Sequence, residues 1–259
     1  MILTDIDNAI NKVGYFLSRR DVNDLKKETL AKKYGIEQAD VMVLFGGSII
    51  AGGDVLAKAI KNHAAKHFII VGGSGHTTDA LRQVVNNLYP NIKTVGLSEA
   101  QIFQNYIKQR YQLEADWLEK KSTNCGNNIT NLLSLLEEHV PEWQSIILAQ
   151  DATMQVRMSA GLKKYVQGSK QIIDYATYQV NIKDGKFVNP PNGMWTVQRY
   201  VKLLMGEIAR LKDTATGYGP EGKNFISHVD IPDEVIQAFE FIQTPLPDSI
   251  READSQYAN

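Results

Sequence analysis

The chain reads as an α/β protein: a Rossmann-like three-layer α/β/α domain with a mostly parallel sheet, plus an N-terminal helical cap and a C-terminal helical and loop extension. Two observations predict this. The runs Val41-Met42-Val43-Leu44-Phe45, Phe68-Ile69-Ile70-Val71 and Ile146-Ile147-Leu148-Ala149 have the unbroken hydrophobicity of strands buried on both faces. Each run ends in small or polar residues, and a stretch with apolar residues at helical spacing follows. Strands alternating with helices imply parallel strands joined by right-handed crossovers and covered on both sides. The predicted divisions are a cap over residues 1–35, the α/β domain over 36–180, and an extension over 181–259 that packs on the same domain.

In chain order, Ile6, Ile10, Val13 and Leu17 form one stripe of a first helix, and Arg19-Arg20-Asp21 breaks it before a second, charged helix from Val22 to Lys33. After the first strand, Asp54 is placed to cap a helix carrying Val55, Leu56, Ala59 and Ile60. The second strand leads to a helix from Ala80 to Tyr89. Ile92 to Val95 is predicted as a short strand, and Ser98 opens a helix with Ile102, Phe103, Tyr106 and Ile107 on one side. Asp116 to Glu119 predicts another strand. Asn124 then caps a helix whose Ile129, Leu132, Leu136 and Val140 share a face. The strand at 145–150 precedes a helix from Met154, and Gln171 to Tyr175 is the last strand of the pattern. Beyond it, Asn181 to Gly193 reads as a loop, Thr196 to Lys212 as a helix, Thr214 to Pro232 as a turn-rich loop, and Asp233 to Ile242 as a short helix before the tail from Pro245.

Composition narrows the function. A formal net charge of -1 over 259 residues argues against a nucleic-acid partner held by a basic face. No run has the length and apolarity of a membrane helix, and the start of the chain lacks the blocks of a signal peptide, so the expected location is cytoplasmic. The single cysteine, Cys125, excludes an internal disulfide and a cysteine zinc cage. His63 and His67 have a metal-binding spacing but no third ligand beside them, so no metal site is expected.

Sheets of this kind bind ligands beyond the carboxyl ends of their strands. Three stretches of small and polar residues fall there: Gly46-Gly47-Ser48, Gly73-Ser74-Gly75-His76-Thr77-Thr78, and Gln150-Asp151-Ala152-Thr153. The strand, glycine turn and helix around Gly73 and Gly75 have the geometry that presents backbone N–H groups to an anion. Their spacing nonetheless fits neither the dinucleotide fingerprint nor the phosphate loop. His76 adds a group that changes charge near neutrality. Thr123, Asn124 and Asn128 add a second cluster of hydroxyls and amides, in which Cys125 reads as a small packing residue. Glu99 and Glu119 are strand-end acids able to hold a ribose hydroxyl, a metal or a proton in transit, and Arg157 has the fork that meets a phosphate or carboxylate bidentately. His76, Asp151 and Arg157 are the candidates for a reactive set; the others are candidates for binding.

The chain resembles the YdcF-like proteins of the ElyC/SanA/YdcF group, from about Asp40 to Pro232. The marks are Gly72-Gly73 with Gly75-His76, Ser98-Glu99-Ala100, Ser122 to Asn128, Gln150-Asp151 with Thr153-Met154-Gln155, and Gly217-Tyr218-Gly219-Pro220. The resemblance implies a Rossmann-like domain with extra helices and S-adenosylmethionine as a ligand, without an established reaction. Relatives tied to envelope and lipid-carrier biology imply an alternative, a phosphatase or transferase acting on a phosphorylated metabolite or lipid carrier. The chain also departs from the group. Thr153-Met154 and Val156 stand where a His-Met pair and an arginine are usual, and Arg157 is offset from that arginine by about 100° around a helix. Cys125 and Asn127 stand where threonine and glutamate are common.

Overall fold

The unbroken apolar runs form the middle of a five-stranded, all-parallel sheet: β1 (Ala39–Phe45), β2 (Ala65–Val71), β3 (Trp117–Glu119), β4 (Ser145–Ala149) and β5 (Gln171–Asp174), in the order β3-β2-β1-β4-β5. A computed structural model describes residues 2–75, 77–166 and 168–244; His76 and the predicted tail from Pro245 to Asn259 lie outside the described residues. In register, Val43 of β1 lies between Ile69 of β2 and Leu148 of β4.

Side chains alternate across a strand, so a run apolar at every position serves two cores. Met42, Leu44, Ile70 and Ile147 face α3 (Ala51–Lys61), α4 (Thr78–Leu88) and α5 (Glu99–Tyr111). Val41, Val43, Ile69, Ile146 and Leu148 face α6 (Cys125–His139) and α7 (Gln155–Tyr165). The chain winds outward from β1 to β3 and then crosses back to β4. The strand order therefore reverses between β1 and β4, where doubly wound sheets open a crevice.

A third apolar cluster joins the first helix to the two helices that follow the sheet, over the outer side of α7. Val13 and Leu17 of α1 (Ile2–Leu17) meet Val156 and Ala160 of α7, Tyr200 and Leu204 of α8 (Val197–Leu211), and Phe239 of α9 (Asp233–Gln243). α7 is consequently buried on both sides. Among the described residues no helix is long and apolar enough to cross a membrane.

Several local expectations are corrected. Residues 92–95 form no strand; Val95 is 78% exposed, and Thr94 turns the chain through its hydroxyl to Asn86. The predicted loop at 181–193 contains a hairpin, β6 (Asn181–Lys183) and β7 (Lys186–Val188). Asp184 and Gly185 turn it with φ of 51° and 70°, the Asp-Gly chemistry of a type I′ turn. The second helix, α2, spans Lys27–Tyr34 and starts later than Val22, because Arg19 to Asp21 run antiparallel beside Asp174 to Ala176 and cover part of the β5 edge. Asp54 does not cap α3, which begins at Ala51; it accepts the hydroxyls of Tyr106 and Tyr111 at 2.6 and 2.5 Å.

Candidate functional site

Parallel register brings the strand ends Phe45, Val71 and Glu119 to one rim, with Ala149 opposite Leu44. The loops beyond them close around a cleft of about 70 Å³. From β1 it takes Gly46, Gly47 and Ser48; from the β2 turn, Gly73, Gly75 and Thr77; and from the start of α5, Glu99. The connection into α6 contributes Thr123, Asn124 and Asn128, and the end of β4 contributes Gln150, Asp151 and Thr153. Ser74, Glu119 and Arg157 are not in the lining, and His76 lies outside the described residues.

The glycine turn does a different job from the one its pattern suggests. Gly72 N–H donates to Glu119 O at 3.0 Å, Gly73 N–H to Ser122 Oγ at 3.0 Å, and Gly75 N–H to Thr78 Oγ1 at 2.8 Å. Gly73 O in turn accepts from Glu99 N–H at 2.8 Å. These amides are spent on the protein itself, which corrects the expectation of an anion cradle on Gly73 and Gly75. What the glycines supply is closeness: a side chain on Gly73 would overlap the Ser122 backbone, and one on Gly46 would overlap the Glu99 carboxylate.

Glu119 acts as a brace. Its Oε1 accepts from the N–H groups of Lys121 and Ser122 at 2.6 and 3.1 Å and from Asn131 Nδ2 at 3.0 Å, tying the connection after β3 to α6. Ser122, which opens the second polar cluster but is not among the binding candidates above, lines the cleft and receives the Gly73 N–H.

Two buried acids border the cleft. Glu99 is held by the hydroxyls of Thr77 and Thr78 at 2.7 and 2.9 Å, yet burial keeps its carboxyl above the ordinary range. Asp151 Oδ1 accepts from Thr153 N–H and Oγ1 at 2.9 and 2.8 Å, and the Tyr178 hydroxyl sits 3.0 Å from both carboxylate oxygens. Burial pushes Asp151 up to about 6 against those hydrogen bonds, and Glu207 adds to the rise. An unfolded aspartate ionises near about 3.9. Between there and about 6 the folded protein keeps a proton that the unfolded chain has lost. The contribution of Asp151 to stability is therefore full below that window, declines as pH rises through it, and is flat above it. Urea unfolding should show Asp151→Asn gaining on wild type by roughly 2–3 kcal/mol between about pH 4 and pH 7. A constant difference across that range would contradict the burial argument.

Arg157 meets a carboxylate bidentately, but the carboxylate is Glu207 of α8: Nε to Oε2 at 2.5 Å and Nη2 to Oε1 at 3.0 Å. Burial acts to lower its pKa; the adjacent Cys125 and Glu207 outweigh that and hold it above the ordinary arginine value. Cys125, partly exposed at the start of α6, lines the cleft, and it also packs on the cluster containing Ile129 and Met154.

Trp195, Arg199 and Leu203 complete the cleft from the segment leading into α8 and from α8 itself. Trp195 Nε1 donates to Ser48 Oγ at 2.9 Å, latching that segment onto the β1 loop. Trp195, Arg199 and Leu203 carry no local signal, since the alternating pattern ends before them. A larger space, about 800 Å³, opens beside β5 between α1, α7 and residues 227–232. Much of the charge there is matched internally: Lys12 with Glu234, Arg19 with Asp21 and Asp174, and His228 with Asp213 and Asp230. The rim cleft instead combines the strand-order reversal with two destabilised carboxylates, the usual company of function. No protein-family model matches the chain.

Proposed function

We propose that this is a cytoplasmic, YdcF-like protein that binds a nucleotide-like small molecule, with S-adenosylmethionine the first candidate, at the carboxyl rim of the sheet. The observation that carries the reading is convergence: six separate stretches of chain, from Gly46 to Leu203, meet at the place where strand order reverses. In this reading Glu99 takes the ribose hydroxyls. The narrow cleft of about 70 Å³ is well below the roughly 300–1,000 Å³ usual for drug-sized ligands, so it receives the polar end of the molecule. Admitting the adenosyl group requires the segment before α8 to shift, and the Trp195–Ser48 hydrogen bond is the contact that breaks.

Calorimetric titration with S-adenosylmethionine and S-adenosylhomocysteine tests this. Saturable binding is expected, with Glu99→Gln weakening it by roughly 10- to 100-fold through loss of a charged hydrogen bond. Absence of saturable heat with both ligands would remove the adenosyl reading. The second reading, phosphate-ester chemistry, draws on Asp151 at about 6, an acid able to exchange a proton near neutral pH. Hydrolysis of a phosphomonoester panel that Asp151→Asn abolishes would favour it over the first.

A further inference from the structure

Gln150 follows β4 directly and is 1% exposed. Its backbone N–H donates to Gln155 Oε1 at 3.0 Å, and its side-chain Oε1 accepts from Asp151 N–H at 2.6 Å. That second bond settles the orientation of the amide, because a flipped side chain would set two donors against each other. Gln150 Nε2 is then a buried donor with no acceptor among the described residues, in a side chain that lines the cleft. Buried donors are rarely left this way, and a partner from outside the chain is one explanation of such an exception. Arg82 Nε is the other such atom among the described residues, and unlike Gln150 it does not line the cleft.

A second set of donors lies at the start of α6, where Asn124, Cys125 and Asn128 line the same space and Gly126 adjoins them in the chain. Asn124 Oδ1 caps α6 by accepting from Asn127 N–H at 2.9 Å, and Asn128 N–H bonds Asn124 O at 2.9 Å. The N–H groups of Cys125 and Gly126 have no acceptor among the described residues. They lie at the positive end of a 15-residue helix whose first turn holds no acidic residue. Arg199, exposed at the mouth, makes no ion pair among the described residues and lies over the Trp195 ring at 5.8 Å. The two acids nearby each have a carboxylate oxygen already engaged by hydroxyl groups.

We propose that the inner end of the cleft is an oxyanion subsite, taking a carboxylate or phosphoryl group on Gln150 Nε2 and the first amides of α6, with Arg199 at its mouth. The subsite rests on the reading of this cleft as a ligand site and names the group that the ligand brings to it. It also relocates the anion-binding end of the site from the β2 glycine turn, whose amides at 72, 73 and 75 are spent, to the start of α6.

The test uses the full chain with inorganic phosphate and sulfate as probes, followed by calorimetry and thermal shift. Saturable binding of phosphate, displaced by sulfate, is expected. Gln150→Glu keeps the acceptor for Asp151 N–H but removes the donor, and should weaken both probes by about tenfold or more. Arg199→Ala, on the surface, should weaken them by about threefold. Unchanged affinity in both variants overturns the proposal. S-adenosylmethionine and 5′-methylthioadenosine, which lacks the carboxylate, separate the sources of the oxyanion. Phosphate binding that depends on Gln150, with neither adenosyl compound bound, keeps the subsite and removes the adenosyl reading. Equal affinity for the two adenosyl compounds, unaltered by Gln150→Glu, does the reverse. Should Gln150→Glu fail to fold, wild-type crystals grown with selenate decide the matter: an anomalous peak beside Gln150 Nε2 supports the subsite, and no peak there overturns it.

Discussion

Arg157→Met should lower stability by about 3–5 kcal/mol, the usual cost of leaving one member of a buried ion pair alone. Arg157 and Glu207 side chains are 12% and 5% exposed, and the guanidinium makes two hydrogen bonds to the carboxylate. Arg210 remains 3.7 Å from Glu207 and softens the loss, which places the expected value toward the lower end. For a chain of this size that is roughly 6–12 °C in Tm. The double variant Arg157→Met, Glu207→Leu should recover most of the loss, because two apolar side chains of similar volume require no desolvated charge to be matched. A double-mutant cycle by urea unfolding measures the coupling. If the single variant melts within about 1 °C of wild type, the pair is not the tie between α7 and α8 that its geometry describes.

Gly73→Ala is expected to cost about 3 kcal/mol, at the upper end of overpacking penalties. The new methyl would overlap the Ser122 carbonyl oxygen and come within 2.8 Å of the Ser122 nitrogen, and backbone atoms cannot turn aside as a side-chain tip can. Relief requires the connection into α6 to move, which breaks the Gly73–Ser122 hydrogen bond and disturbs the Glu119 brace. Gly47→Ala is the control. Its nearest neighbours would be 3.9 Å away, so stability should stay within about 0.5 kcal/mol while the cleft itself is narrowed. Equal melting temperatures for the two variants would show that Gly73 is no closer to its neighbours than Gly47.

The same glycine shows where local sequence stops being informative. Gly72-Gly73-Ser74-Gly75 announces a turn whose backbone needs room, and that much can be read in place. What fills the room is Ser122, distant in sequence and brought there by the pairing of β2 with β3. A backbone amide facing a ligand and one facing another loop have the same local sequence. Arg157 repeats the lesson: its capacity for a bidentate carboxylate contact belongs to the residue type, whereas the choice of Glu207 depends on how α8 packs over α7. Trp195 and Arg199 have no local mark for the same reason, since they reach the cleft from beyond the alternating pattern. The hairpin at Asp184-Gly185 is different; its turn chemistry is local, and the Asp-Gly step between short alternating runs was there to be read.

Hydrophobic periodicity alone determined the class of this protein, its parallel sheet and the rim where its polar residues gather, because burial on two faces imprints every residue of a strand. Tertiary structure decided which donors are spent and which are left over, because a hydrogen bond depends on the partner that packing delivers, and sequence spacing does not specify that partner.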